Sequence, residues 1–519
     1  MEYKKLLLAL LALFFCAFKE GEQKTNFYEH ILPIMQTHCW QCHSEGQVGP
    51  FPLITYNDVV EKIHTIRSVT LSHFMPPWKP DRHYSSFLYE NYLTDEEQER
   101  IGQWIADGLP EGVSPKIPAP QKIANADSLV EYDKEKPDLI LCMDKPYLHV
   151  GKNKDQYMVF VLPSNLEQDV FVRATRYISD NPKLVHHALV SLDTVGKYRK
   201  LDEKTPEYGL SKAIFPKYTF DFYTPGKTYN SYPDAFGVRI PRQSDILISV
   251  HYAPTPIDEQ ECSCIYLFFS REKPKQVVTP IFVGKKHLDE PLEVPANQKV
   301  TICGTFTAKE DLDLLRISPH AHYVAHSCTG FALPPNKKDT LPLLKIQDWD
   351  FNWQDAYWFK YPLFIAKKTD IKLCFNYDNT INNPRNPNMP PIDIGWGEKT
   401  DDEMLFMGLC YVPHREGNNY IPLDPNAQHK VIAEYATTLL NTTSEKGNKL
   451  QLALAKDAHI KIDFYGQNGE KISVELPSAS YKCGRNTVTL PAILPKGLGF
   501  IRIGANGNED VLFKKIVLI

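Results

Sequence analysis

Five residues near the start of the chain, Cys39-Trp40-Gln41-Cys42-His43, place two thiols three positions apart with an imidazole directly after the second. That spacing lets both sulfurs bond covalently to the vinyl groups of a haem while His43 ligates the iron. A zinc half-site would need a second C-x-x-C or an H-x-x-x-H pair nearby to complete four ligands, and none is present. Further along, His186-His187, His251, His320-Ala321-His322 and Met404 combine imidazole with thioether, donor types that suit copper in both oxidation states.

The geometry expected of these residues differs from group to group. His320 and His322 are two apart, so on a strand both rings leave one face and can grip a single ion. His186 and His187 are adjacent and would face opposite ways on a regular strand. Sharing a metal then requires a local twist or coordination through different ring nitrogens. For the haem iron, Met75 in Met75-Pro76-Pro77-Trp78 offers a thioether on a rigid turn, and a methionine opposite His43 would raise the reduction potential. His73 and His64 compete for that position, and packing is the alternative role for Met75.

Around the haem motif the pattern predicts two helices. Asn26 with Glu29 caps an apolar stripe of Phe27, Ile31, Ile34 and Met35, and Thr94 with Glu97 opens a second helix with Ile101, Trp104 and Ile105 on one face. Gly108-Leu109-Pro110 should stop it. Residues 22–113 therefore read as a small all-α cytochrome c, followed by a Pro-rich linker at 114–135, stiff from Pro115 to Pro120. From 136 to 430 short strands broken by Pro, Gly and Asn predict antiparallel β-sandwich, with Tyr157–Leu162, Leu184–Leu192, Ile246–Tyr252 and Leu312–Ile317 among them. From about 445 to 519 Ile460, Ile462 and Phe464 alternate with Lys461 and Asp463 before the hairpin signal Asn468-Gly469, which predicts a further small β-sandwich.

At 519 residues, 43% hydrophobic and with a net charge of -5, the chain suits several globular domains and has no basic stretch for nucleic acid. Lys4 and Lys5 precede an apolar run from Leu6 to Phe15, too short to span a bilayer and suited to a signal peptide at 1–18, with Cys16 as a minority lipoprotein acceptor. Export agrees with covalent haem. Of the eleven cysteines, Cys142, Cys262, Cys264, Cys303, Cys328, Cys374, Cys410 and Cys483 remain for an oxidising compartment, with disulfide pairing left open.

Residues from about 140 to 425 resemble the copper type II, ascorbate-dependent monooxygenases, the family of peptidylglycine α-hydroxylating monooxygenase and dopamine β-monooxygenase, and especially bacterial relatives fused to a cytochrome c. The likeness rests on Val185-His186-His187-Ala188, Val250-His251-Tyr252, Pro319-His320-Ala321-His322, and Trp396-Gly397-Glu398 leading to Asp402-Glu403-Met404, with Phe375–Asn386 as a bacterial feature. The resemblance implies two jelly-roll-like sandwiches, at 136–280 and 281–430. It implies one copper held by His186, His187 and His251 as an electron store, and one held by His320, His322 and Met404 where O2 binds. Met407 is the fallback thioether, and His326 is read as a surface or outer residue. The chain lacks the cysteine that comes after the ligand methionine in the animal enzymes, so Cys374 is left to pair with Cys410 or stay free.

The resemblance and the haem motif together imply an exported copper-dependent monooxygenase. It would hydroxylate a substrate C–H, in a small molecule or a peptide, using O2 and electrons fed through the haem by an external donor. The other class is a surface electron-transfer or copper-binding protein that hydroxylates nothing. The C-terminal stretch, with Leu494-Pro495-Lys496-Gly497 and Lys514-Lys515-Ile516-Val517-Leu518, resembles the sorting domain of the Bacteroidetes type IX secretion system, which implies an outer-membrane secretion machinery as partner and a cell-surface or extracellular destination, with the periplasm as alternative.

Overall fold

In the computed structural model, residues 24–114, 135–211, 218–335 and 340–423 are described apart from a few single positions, together with the strands between 449 and 518. The signal region, the Pro115–Pro120 linker, Glu398, Cys483 and Asn468-Gly469 lie outside the described residues. The chain is mainly β, in several antiparallel sheets, and divides into two compact units. Unit 1 is Met1–Trp78 with Asn91–Ala126, and unit 2 is Lys79–Glu90 with Asp127–Ile519.

Unit 1 is helical for local reasons that the sequence states. The Asn26 side chain accepts the Glu29 N–H at the first turn, and Thr94 and Glu97 form a reciprocal capping box for the Asp95–Ala106 helix. That helix ends where Gly108 takes φ +85° and the Leu109 N–H returns to the Trp104 carbonyl, a left-handed cap that glycine adopts without Cβ strain. Short helices at Leu32–His38, Tyr56–Glu61 and Ile63–Leu71 complete it. Phe27, Ile31, Ile34, Met35, Ile101 and Trp104 meet in one buried cluster.

Unit 2 contains the four predicted strands, three extended by one to three residues and Leu184–Leu192 shifted by one to Val185–Asp193. One four-stranded antiparallel sheet has the order Gln156–Pro163, Asp245–Tyr252, Val185–Asp193, Thr219–Tyr223, and another has the order Thr279–Val283, Phe406–Pro413, Leu312–His320, Tyr357–Ile365. Behind the first, Tyr177 of the Val170–Ser179 strand stacks on Tyr223 at 4.4 Å. Behind the second, Tyr377 of the Asp370–Asp378 strand donates to the Met404 carbonyl at 2.8 Å. The segment Lys79–Glu90 belongs to this unit through bridges from Pro80 to Ile346 and from Phe87 to Phe359.

Among the described residues two disulfides join neighbouring strands, Cys142–Cys264 and Cys303–Cys374. The second corrects the expectation for Cys374: its partner is Cys303, directly opposite in the ladder, while Cys410 is buried and in no disulfide among the described residues. Such bonds fit an oxidising compartment. Among the described residues no helix is long and apolar enough to cross a membrane. In the C-terminal strands Ile462 and Phe464 are buried while Lys461 is exposed. Tyr465 pairs with Lys471.

Candidate metal centres

The first cluster depends on an irregularity in one strand. The ladder between Val185–Asp193 and Asp245–Tyr252 shifts register between Val185 and His187, leaving His186 as the bulged residue. A bulge turns the extra residue out of strict alternation, which supplies the twist that two adjacent histidines need. As a result His186 Nδ1 lies 3.1 Å from His187 Nδ1 and 3.1 Å from His251 Nδ1. One ring proton cannot serve both contacts, so nitrogen lone pairs confront each other unless a cation sits among them. Metal–imidazole bonds of about 2.0 Å in a tetrahedron put donors roughly 3.3 Å apart, so the three rings fit a metal ion. The opposite nitrogen of His251, Nε2, meets Asp155 Oδ1 at 2.7 Å. That carboxylate fixes the tautomer and leaves Nδ1 as the donor atom.

For the second group the structure corrects the strand geometry. The Leu312–His320 strand ends at His320, so His322 lies in the turn beyond it and the pair do not share a strand face. Their rings nevertheless lie 5.3 Å apart and nearly perpendicular. What holds His322 is Glu403, a fully buried carboxyl that accepts the N–H groups of His322 at 3.1 Å, Val324 at 3.2 Å and Met404 at 3.1 Å. His322 Nδ1 meets the Asp402 carbonyl at 3.1 Å, which leaves Nε2 available for ligation. Gly397 lets this loop close, since a Cβ there would collide with the Asp402 carboxylate. Met404 lines the same cavity as both rings. Met407 is also buried but is not among the residues that line it. His326 is exposed.

Both groups open on one cavity of about 100 Å³ between the facing sheets. His187 and His320 approach to 6.4 Å between ring centres, and Phe351 packs against His186, His251 and His322 at 5.8 Å each. Burial lowers His320 to about 3 and His322 to about 4, and holds His187 and His251 well below the ordinary imidazole value. All four rings are neutral at pH 7, the state in which imidazole ligates. Most of the remaining lining is apolar, with Leu189, Phe222, Ile281, Phe282, Phe406 and Leu409, interrupted by Thr219, Ser249, Arg316 and Ser318.

In unit 1, Cys39 and Cys42 are unpaired, and one helical turn joins them, with the His43 N–H donating to the Cys39 carbonyl at 2.8 Å. Burial pushes the Cys39 thiol up to about 12 and the Cys42 thiol up to about 11, the opposite of the lowered values of a redox-active C-x-x-C pair. His43 Nδ1 meets the Phe51 carbonyl at 2.9 Å, which leaves Nε2 available for ligation, and Gly49 permits this because a Cβ would strike His43 Nδ1. These residues fit a covalently held haem. Met75 lies beyond the Ile63–Leu71 helix, half-buried, and is not part of the core cluster that includes Met35. His64 and His73 are exposed, with His73 Nδ1 engaged by Gln98 at 3.3 Å.

Sequence reasoning does not single out Asp155, Phe351 or Arg316, and marks Glu403 only as part of a motif. Lone acidic, aromatic and basic residues on strands and loops carry no spacing signal, and only the fold assigns them neighbours.

The chain matches no protein-family model. It matches no curated protein either. Among solved structures it shows a faint likeness to the major capsid protein P2 of bacteriophage PM2, with 10% identity, 54% of this chain and 99% of that chain covered, and a TM-score of 0.25. A second is infectious bursal disease virus VP2, with 11% identity, 54% and 72% covered, and a TM-score of 0.16. Likeness at this level does not establish a shared fold.

Proposed function

We propose that the chain is an exported copper-dependent monooxygenase of the type its motifs resemble. In this reading its two jelly-roll-like sandwiches are preceded by a c-type cytochrome and succeeded by a sorting or accessory domain. The observation that carries the reading is the meeting of four imidazoles and one thioether on a single largely apolar cavity, in two chemically unequal groups, with His186 completing the first group beside it. Storage or simple electron transfer has no need of an apolar chamber beside the ligands, whereas oxidation of a C–H bond does.

Within this reading His186, His187 and His251 would hold one copper and His320, His322 and Met404 the other, with Cys39, Cys42 and His43 holding haem and Met75 its sixth ligand. Bound copper would supply stepwise electrons to O2 and the oxidising power that exchanges a substrate hydrogen for hydroxyl; soft thioether ligation favours Cu(I) at the Met404 site. The haem would supply a tethered one-electron carrier. The protein's own share is positional. Asp155 orients His251, Glu403 ties the His322 turn to Met404, and Phe351 covers the rings from one side. The apolar walls exclude water from the reacting position.

The test is incorporation of labelled oxygen from ¹⁸O2 into product by copper-loaded full-length protein under reductant. Label in the product is expected, and product without label refutes the reading. Metal analysis should give two coppers and one haem per chain. For the haem relay, stopped-flow mixing of reduced haem with oxidised copper protein should reoxidise the haem band as copper is reduced.

A further inference from the structure

The segment Lys79–Glu90 is a strap. Trp78 before it and Asn91 after it belong to unit 1, the unit of the Cys39–His43 motif, while the strap itself belongs to unit 2. Asp81 donates its N–H to the Lys345 carbonyl at 2.7 Å beside the Pro80–Ile346 bridge, and Leu88 donates to the Trp358 carbonyl at 2.8 Å beside the Phe87–Phe359 bridge. These contacts fall on the strands Leu341–Ile346 and Tyr357–Ile365, each at one edge of its four-stranded sheet. An uncovered edge invites foreign pairing, so closing both edges accounts for part of the strap. It does not account for Lys79.

The two strands are consecutive, and the connection between them, residues 347–356, runs against the candidate copper ligands. Phe351 packs on His186, His251 and His322, and Gln354, whose amide donates to the Phe351 carbonyl at 2.9 Å, neighbours His320. The strap holds this connection at three points: at its start through Pro80 and Asp81, at its end through Phe87 and Leu88, and in the middle through Lys79. The Lys79 ammonium lies 3.1 Å from Asp348 and 3.7 Å from Asp350, which flank the buried Trp349. Asp348 has a second cation in Arg385 at 2.8 Å, whereas Asp350 otherwise accepts only from the neutral Asn352 N–H and amide. Lys79 and Asp350 are each 11% exposed, so solvent screens this pair poorly and losing the lysine strands a nearly buried carboxylate.

We propose that the strap is a positioning element of the copper chamber, with Lys79 as the residue that seats Phe351 over the histidine rings by holding Asp350. The chain that carries the haem motif thereby also finishes the surroundings of the three-histidine group, which a plain tether between two independent modules would not do. Lys79 touches no ligand; it acts through the 347–356 connection alone. The assignment rests on the copper reading in naming the ion, and on no step of hydroxylation.

Copper(II) affinity by chelator competition and the copper EPR spectrum, read in full-length Lys79→Met, Lys79→Arg and Phe351→Ala, test it without turnover. Lys79→Met is expected to weaken copper at the three-histidine group by roughly tenfold, the low end for residues that support a ligand from outside, and to change its hyperfine splitting. Lys79→Arg keeps the charge and should restore the wild-type affinity and spectrum. Added to Phe351→Ala, Lys79→Met should cost less than about twofold more, because two residues acting through one contact are not additive. Wild-type affinity and spectrum in Lys79→Met, equal loss in the Met and Arg variants, or a full further tenfold in the double variant overturns the assignment. If Phe351→Ala does not fold, the contrast between Lys79→Met and Lys79→Arg decides alone. A wild-type chain that binds no copper removes the metal reading and the assignment with it, whereas tight binding left unchanged by Lys79→Met removes the assignment only.

Discussion

Glu403 offers the sharpest perturbation because one carboxyl organises a whole ligand set. In Glu403→Gln, compared above about pH 8 where the wild-type carboxyl is ionised, the amide keeps one acceptor oxygen and turns an NH2 toward backbone donors, so of the three N–H bonds to His322, Val324 and Met404 at least one is lost and another strained. At about 1 to 1.5 kcal/mol per bond the cost is roughly 2 to 3 kcal/mol, which becomes about 30- to 150-fold weaker copper binding if it falls on the ordering of the turn that carries His322 and Met404. Competition with a chelator, site by site, measures this, with EPR for the all-nitrogen site and X-ray absorption for the copper–sulfur bond. The His186, His187 and His251 site should keep its affinity. Equal weakening of both sites, or a stability loss with neither affinity changed, refutes the clamp.

The same residue supplies a pH signature. Burial raises Glu403 to about 8, against an ordinary value of 4.5, despite the N–H donors around it. The folded state therefore binds the proton more tightly than the unfolded state, and the stability this contributes is complete below 4.5 and lost as pH rises to about 8. In metal-free protein, wild type should lose roughly 1.4 kcal/mol per pH unit relative to Glu403→Gln across that window. Urea midpoints for the two proteins between pH 5 and 8 check the sign, and a difference independent of pH refutes it.

Other expected outcomes concern the remaining residues. Asp155→Asn should weaken copper at the three-histidine site by about 10- to 100-fold through the lost contact to His251 Nε2, read by chelator competition. Met404→Leu should abolish hydroxylated product and the copper–sulfur signal while leaving the three-histidine site loaded. Reducing or removing the Cys303–Cys374 bond, which closes 71 residues, should cost about 4 kcal/mol, measured by denaturant unfolding.

How much of this is legible in the sequence depends on the range of the interaction. The Asn26 and Thr94 caps and the Gly108 stop bind residues within a few positions, so their side-chain types declare them. The strands carrying His187, His251 and His320 are visible as short apolar runs broken by Pro, Gly and Asn. The bulge at His186 is not, because a register shift is a property of two strands, and only the pairing with Asp245–Tyr252 creates it. The end of the strand at His320 is hidden for a similar reason: Glu403, 81 positions away from His322, pulls the next residues out of the ladder. Disulfide partners are equally hidden, since Cys374 meets Cys303 through strand order alone.

That dependence explains why the ligands alone under-determine the chemistry. Six donor side chains can be marked along the chain by type, yet their number of usable nitrogens is set by residues with no ligand character. Asp155 holds Nε2 of His251, the Asp402 carbonyl holds Nδ1 of His322, and the Phe51 carbonyl holds Nδ1 of His43. In each case a partner occupies one ring nitrogen and thereby selects the other. The consequence is that the His251 group should ligate through Nδ1 and the His322 and His43 groups through Nε2. Swapping Asp155 for a neutral residue should loosen the first choice while leaving the other two intact, because those rest on main-chain carbonyls that a side-chain substitution does not remove.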